Sequence, residues 1–175
     1  MRLVVPHSGL VVLVPEAEPA IGHLRGRLDP NAAAGVAAHV TVLFPFAHPE
    51  TIDSGVVDTL RTLFSEVPAF SYAFERSAWL DDQVLWLAPT DDRPFRELTR
   101  LVHAAFPDFP PFGGAFPDSV PHLTVGHEAP LHELRAAAAE LADLTPVRGR
   151  ASTVTLLVQP DPDRPVQVRE EFRLG

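Results

Sequence analysis

Apolar positions along the chain fall into two kinds of run, and the runs recur in one order. The first half opens with an unbroken stretch, Leu10-Val11-Val12-Leu13-Val14, closed by Pro15. A short aliphatic run bounded by a proline reads as a buried strand. Ile21, Leu24 and Leu28 then recur at helical spacing. His39-Val40-Thr41-Val42 alternates polar and apolar side chains and, with Leu43 and Phe44, predicts a second strand. Ile52, Val56, Leu60 and Leu63 mark a second helix, and Phe70, Tyr72 and Phe74 share one face of a third strand.

The second half repeats this plan. Val84-Leu85-Trp86-Leu87-Ala88 is again followed by a proline, Pro89. Asp91 or Asp92 is placed to cap a helix whose apolar face carries Phe95, Leu98, Leu101, Val102 and Ala105. A loop rich in proline and glycine, Pro107 to Pro121, leads to His122-Leu123-Thr124-Val125-Gly126-His127. Leu131, Leu134, Ala138 and Leu141 align along an alanine-rich helix, and Ser152 to Val158 reads as a strand. Beyond Pro160-Asp161-Pro162-Asp163, alternation of Val166, Val168 and Phe172 with Gln167, Arg169 and Arg173 predicts an edge strand over residues 165–173. Each repeat, about residues 8–80 and 82–159, therefore reads strand, helix, strand bearing His-x-Thr-Val, helix, strand. No linker divides them. The pattern predicts one α+β domain over residues 1–175, built of two lobes related by a pseudo-twofold axis.

Composition narrows the chemistry. Hydrophobic residues make up 46% of the chain, and the 19 prolines fall mostly between the apolar segments, as turn punctuation. The net charge of -9 argues against binding a long duplex, which needs a basic surface. A local arginine pocket around one or two phosphates stays compatible with it. There is no cysteine, which removes disulfides, thiolate nucleophiles and cysteine-bound zinc. There is no lysine either, since all 14 basic residues are arginine. That removes Schiff-base catalysis, the lysine of a P-loop and any ligase that carries nucleotide on lysine. The apolar stretch from Gly9 to Val14 is too short for a signal core or a membrane span. A cytoplasmic monomer without membrane contact is expected.

The duplicated His-x-Thr carries the candidate chemistry. Side chains alternate along a strand, so His39 and Thr41 point one way, about 7 Å apart, and Val40 and Val42 the other. His122 and Thr124 do the same beside Leu123 and Val125. Facing lobes would bring two imidazoles and two hydroxyls to one cleft. One histidine can then take a proton from an attacking hydroxyl or water while the other protonates the leaving oxygen. The threonines can donate to the non-bridging phosphate oxygens, where charge builds in the transition state. One His-x-Thr in a strand is a weak signal. Two, 83 residues apart at matching places of a repeat, are a strong one.

The segments AHVTVLFPF and PHLTVGH resemble the paired signatures of the two-histidine (2H) phosphoesterase superfamily, in particular its 2′-5′ RNA ligase-like and cyclic phosphodiesterase branch. The resemblance spans nearly the whole chain. It implies a bilobal α+β fold with two antiparallel sheets and outer helices around a central cleft. It also implies cleavage or formation of 2′,3′-cyclic or 2′-5′ phosphodiester bonds of nucleotides or RNA ends, with no cofactor, metal or ATP. By this resemblance His39 and His122 are the catalytic pair, with His39 the acid and His122 the base, and Thr41 and Thr124 bind phosphate. Members often carry arginine or lysine shortly after the second motif. Here the nearby polar residue is His127, which strict alternation sets out of phase with His122. A binding module that keeps the cleft without turnover is the alternative reading.

Other candidates are weaker. His122 and His127 lack a zinc-binding pattern, so no metal is expected. His7, His23, His48, His103 and His132 fall in loops or helices and are assigned no role. The segment Phe109 to Phe116, with Phe44 and Phe46, offers rings for stacking on a base, against the plainer reading of a proline-stiffened loop packed on the lobe. Arg76 and Arg150, both on strands, are candidates to hold a phosphate.

Overall fold

The computed structural model describes residues 6–115, 120–143 and 146–175. The opening apolar run forms β1 (His7–Leu13), and Ile21, Leu24 and Leu28 form the buried face of α1 (Glu18–Leu28). A single turn, α2 (Pro30–Ala33), capped by the Asp29 side chain, leads to β2 (His39–Leu43). Asp53 accepts from the Val56 amide and starts α3 (Ser54–Ser65), which buries Leu60 and Phe64. Then follow β3 (Phe70–Leu80), β4 (Val84–Pro89) and α4 (Arg93–Ala105), which buries Phe95, Leu98 and Val102. Of the two aspartates before α4, it is Asp91 that accepts the Arg93 amide. The chain closes with β5 (Leu123–His127), α5 (Leu131–Glu140), β6 (Val147–Ala151), β7 (Thr153–Gln159) and β8 (Gln167–Arg173).

Among the described residues the strands make one curled, antiparallel, eight-stranded sheet in the order β6-β3-β4-β5-β2-β1-β7-β8. This corrects the expectation of two sheets. The two motif strands, β2 and β5, pair with each other at Val40↔Leu123 and carry the ladder from one half of the chain into the other. Unpaired inner edges leave backbone groups without sheet partners, and this pairing joins the two edges at one register pair. On one side of the junction lie β5, β4, β3 and β6; on the other lie β2, β1, β7 and β8. The last strand predicted for each repeat crosses the divide: β3 pairs with β4, and β7 with β1. Strand β8 is an edge strand, as its alternation predicted. Two elements differ from expectation. Strand β3 continues to Leu80, and a separate β6 precedes β7.

Helices also cross the junction. Helix α1 packs on β5, where an added Cβ at Gly126 would lie 2.7 Å from Leu28 and 2.8 Å from Leu134 of α5. Helix α4 packs on β2, and the Thr99 hydroxyl donates to the Val42 carbonyl at 2.7 Å. Each motif strand is thus backed by a helix from the other half of the chain. Val40, Leu123 and Val125 are fully buried beneath these helices. Of the face predicted for α5, Leu134 and Leu141 are buried and Leu131 is exposed. No helix among the described residues is long and apolar enough to cross a membrane.

Gly126→Ala is expected to destabilise the protein by about 1–3 kcal/mol, the usual cost of overpacking a tight core. Urea unfolding measures this, and an unchanged midpoint would contradict the close α1–β5–α5 packing.

Candidate active site

Alternation along the two central strands separates core from site. Val40 and Leu123 are fully buried, while His39, Thr41, His122 and Thr124 lie on the other face. Continuing the Val40↔Leu123 register by one residue each way sets His39 opposite Thr124 and Thr41 opposite His122. The four predicted residues therefore form one square. Directly opposed side chains start about 4.5–5.5 Å apart and diagonal ones about 7–8 Å apart. The histidines occupy one diagonal and the threonines the other, which leaves room for a phosphate between them. Neither threonine hydroxyl is hydrogen-bonded among the described residues.

The two imidazoles are held alike. Nδ1 of His39 donates to the Ala37 carbonyl at 2.8 Å, and Nδ1 of His122 donates to the Val120 carbonyl at 2.7 Å. A carbonyl only accepts, so each Nδ1 keeps its proton. Nε2 is then the nitrogen that gains and loses one. Both histidines are half-buried. Burial pushes His39 down from 6.5 to about 4, against the upward pull of its carbonyl partner, with Arg25 and His122 adding to the fall and Asp29 opposing it. His122 is lowered too, by burial first and by the nearby His127, with the Val120 carbonyl opposing. Both rings are therefore mainly neutral at pH 7 in the free protein.

Aromatic rings flank His122. Trp86 meets it edge-on with centroids 5.7 Å apart, and Phe112 stacks on it at 6.3 Å and 22°. Phe112 sits at φ 50, a left-handed conformation uncommon for a bulky residue. Its amide donates to the Phe44 carbonyl at 2.6 Å, which ties the loop to the end of β2. Only part of the aromatic loop behaves this way. Phe109 packs against Phe46, which is buried and also meets Phe106. Phe44 is partly exposed and meets His7 edge-on. Phe116 lies outside the described residues.

His127 is in phase with His122, a correction to strict alternation. Trp86 pairs with Thr124 and Leu85 with Gly126, so Val125 is an extra residue in β5 and the bulge reverses the phase beyond it. His127 is nonetheless engaged. Its Nε2 lies 3.2 Å from Asp29 Oδ1 and 3.4 Å from the side-chain Nδ2 of Asn31. Asp29 is fully buried with Arg25, which donates to it through Nε at 3.1 Å and Nη2 at 2.7 Å. Burial raises the Asp29 carboxyl, but His127, Arg25 and the Asn31 amide outweigh it and hold the group below its ordinary value.

Sequence reasoning passed over this Arg25–Asp29 pair. Its i,i+4 spacing was the available signal. It also passed over Trp86, whose alternation with Leu85 and Leu87 was legible. Of the arginines it named, Arg76 lies on the face of Trp86 and Ala88, and Arg150 lies opposite Ser71 on β6, one strand farther out. Among the other histidines, His23 pairs with Glu140 at the surface and His48 Nδ1 accepts the Glu50 amide. No group of three or more His, Asp or Glu among the described residues is arranged to hold a metal ion.

A family model described as the 2′-5′ RNA ligase superfamily matches residues 13–163. No curated protein matches the chain. Several solved structures share its fold. E. coli LigT complexed with 3′-AMP is 18% identical, with 97% of this chain and 99% of that one covered, at a TM-score of 0.62. TT0787 of Thermus thermophilus is 18% identical over 96% of this chain and 97% of its own, at a TM-score of 0.63. A further structure, that of a phosphoesterase, is 17% identical over 98% and 99%, at 0.62.

Removing one partner of a buried ion pair strands the other charge. Asp29→Ala is therefore expected to cost about 3–5 kcal/mol of stability. Because the folded carboxyl is held below its unfolded value, this contribution is complete above about pH 4 and fades as pH falls further. Denaturant midpoints of wild type and variant at pH 7 and pH 3 check both statements. A loss below about 1 kcal/mol at pH 7 would contradict them.

Proposed function

Since the chain belongs to the 2′-5′ RNA ligase superfamily of 2H phosphoesterases, we propose that it cleaves, or reversibly forms, 2′,3′-cyclic or 2′-5′ phosphodiester bonds of nucleotides or RNA ends by two-histidine acid–base catalysis without a metal. The observation that carries this reading is the matched pair of imidazoles. Each has Nδ1 fixed on a carbonyl two residues upstream, and Nε2, without a hydrogen bond among the described residues, on the same face of adjoining strands. That E. coli LigT has been crystallised with 3′-AMP, ATP and phosphate supports a nucleotide phosphate as the ligand.

In hydrolysis, the Nε2 of His122 takes a proton from water as its oxygen attacks phosphorus. The Nε2 of His39 gives a proton to the ribose oxygen as the P–O bond breaks. One proton enters the pair and one leaves, so the site returns to its starting state after the protons re-equilibrate. Thr41 and Thr124 donate to the non-bridging oxygens, whose charge grows in the transition state. His39 must be protonated to act as the acid, yet burial holds it near 4 in the free protein. The anionic phosphate supplies the missing stabilisation: a negative charge within about 4–6 Å favours the imidazolium. Run backwards, the roles exchange and a free hydroxyl replaces water.

His39→Ala and His122→Ala are each expected to lower kcat/KM for a nucleoside 2′,3′-cyclic phosphate by about 10²–10⁴-fold. Thr41→Val and Thr124→Val should lower kcat by up to about 10²–10³-fold. All assays are run with EDTA. Turnover that survives either histidine substitution, or that stops with chelation, would overturn the mechanism. Nucleotide binding without turnover across cyclic and 2′-5′ substrates would favour a binding module instead.

The pH profile offers an independent check. The kcat/KM profile reports groups of the free enzyme, and both histidines there are lowered from 6.5. The optimum is the mean of two lowered values, so it should fall on the acid side of 6.5. An optimum above pH 7 would contradict the burial argument.

A further inference from the structure

Arg76 is one of several arginines that pair with no carboxylate among the described residues, and its place on the histidine face of the sheet sets it apart. Arg25, Arg61, Arg93, Arg96, Arg100 and Arg148 are all paired with carboxylates. The Arg76 side chain has no hydrogen bond or ion pair among the described residues, although its neighbour is Glu75. That carboxylate is taken by Arg148 at 2.8 Å. In a chain of net charge -9, an arginine left unneutralised on the histidine face of the sheet is a specific feature.

Its position follows from register. A bulge in β3 falls between Phe74 and Arg76. Phe74, opposite Pro89, is buried in the core, whereas Arg76 lies opposite Ala88 and is exposed. Two residues on, Ala78 lies opposite Trp86, and Trp86 lies opposite Thr124. Arg76, Ala88, His122 and Thr41 therefore form one row across β3, β4, β5 and β2, beside the row of Ala78, Trp86, Thr124 and His39. Arg76 is two strand spacings from His122, about 10 Å. The residue between them is alanine, whose methyl group leaves the surface clear. Ala88 and His122 separate Arg76 from the centre of the square between β5 and β2, which lies more than two strand spacings, over about 10 Å, away. Its guanidinium can meet a second phosphate on a nucleotide whose sugar or base rests on Trp86.

We propose that Arg76 binds a second phosphoryl group of the substrate, on the 5′ side of the nucleoside whose 2′ or 3′ phosphate lies between His39 and His122. The proposal rests on the phosphodiesterase reading above and names the substrate class within it: nucleoside cyclic phosphates that carry a 5′ phosphoryl group. Guanidinium suits this task, because it presents a fork of donors to phosphate oxygens. The second phosphate is either a terminal 5′-phosphate or the linkage to a preceding nucleotide.

Three substrates separate these cases: a nucleoside 2′,3′-cyclic phosphate, the same compound with a 5′-phosphate, and a dinucleotide ending in the cyclic phosphate. Wild type is expected to prefer one or both of the latter two about tenfold in kcat/KM, through KM. Arg76→Gln should abolish that preference, and Arg76→Lys should retain part of it. Loss for the 5′-phosphate alone assigns a terminal phosphate; loss for both assigns any 5′ phosphoryl group. Equal kcat/KM for all three in wild type, or a preference that persists in Arg76→Gln, would overturn the proposal. Calorimetric binding of a nucleoside 2′,5′-bisphosphate against the 2′-monophosphate gives the same comparison without turnover. A bisphosphate preference lost in Arg76→Gln, in a protein that turns over no cyclic phosphate, would uphold Arg76 and defeat the catalytic reading. No bisphosphate preference in a protein that does turn over cyclic phosphates would do the reverse.

Discussion

The pairing of β2 with β5 at Val40↔Leu123 is the contact on which the rest of this structure depends. It turns two halves of a chain into one sheet. It also turns two short motifs, 83 residues apart, into one square of side chains. A slip of one residue in either strand would send its histidine into the core and a valine or leucine into the cleft. The register is secured from behind. Val40, Leu123 and Val125 are buried against helices that come from the opposite half of the chain. Stability and site geometry thus draw on the same apolar contacts.

Burial sets the electrostatic character of the site. The same enclosure that fixes each ring against a backbone carbonyl makes its protonated form costly. Both imidazoles are therefore mainly neutral at pH 7 in the free protein, and in the proposed mechanism an arriving phosphate anion creates the charge state that catalysis needs. The buried Arg25–Asp29 pair and His127 lie at the margin of this field: Arg25 lowers and Asp29 raises His39, and His127 lowers His122. Trp86, edge-on to His122, and Phe112, stacked with it, shape what can approach that ring.

Much of this was legible in the residue pattern. Alternation at His39-Val40-Thr41-Val42 separated site from core, and helical spacing located α1, α3 and α4. What the pattern could not carry was partnership between distant segments. Nothing in Val40 or Leu123 says that they pair with each other, so two sheets were expected where one is found. Nor does local alternation anticipate a bulge. The extra residue Val125 returned His127 to the phase of His122, and the bulge before Arg76 set that arginine on the histidine face. The proline-rich loop divided: Phe109 went to the core cluster and Phe112 to His122, a difference fixed by the Phe112–Phe44 backbone bond.

The central claim is that both imidazoles present Nε2 to one phosphate. Nitrogen-15 NMR of the histidine rings, with and without a nucleoside 2′-monophosphate, tests it most directly. At pH 7 without ligand, His39 and His122 should both appear as neutral rings with the proton on Nδ1. Ligand should raise the pKa of both together and move both Nε2 resonances. A proton on Nε2 in the free protein, or a response confined to one of the two rings, would contradict the account.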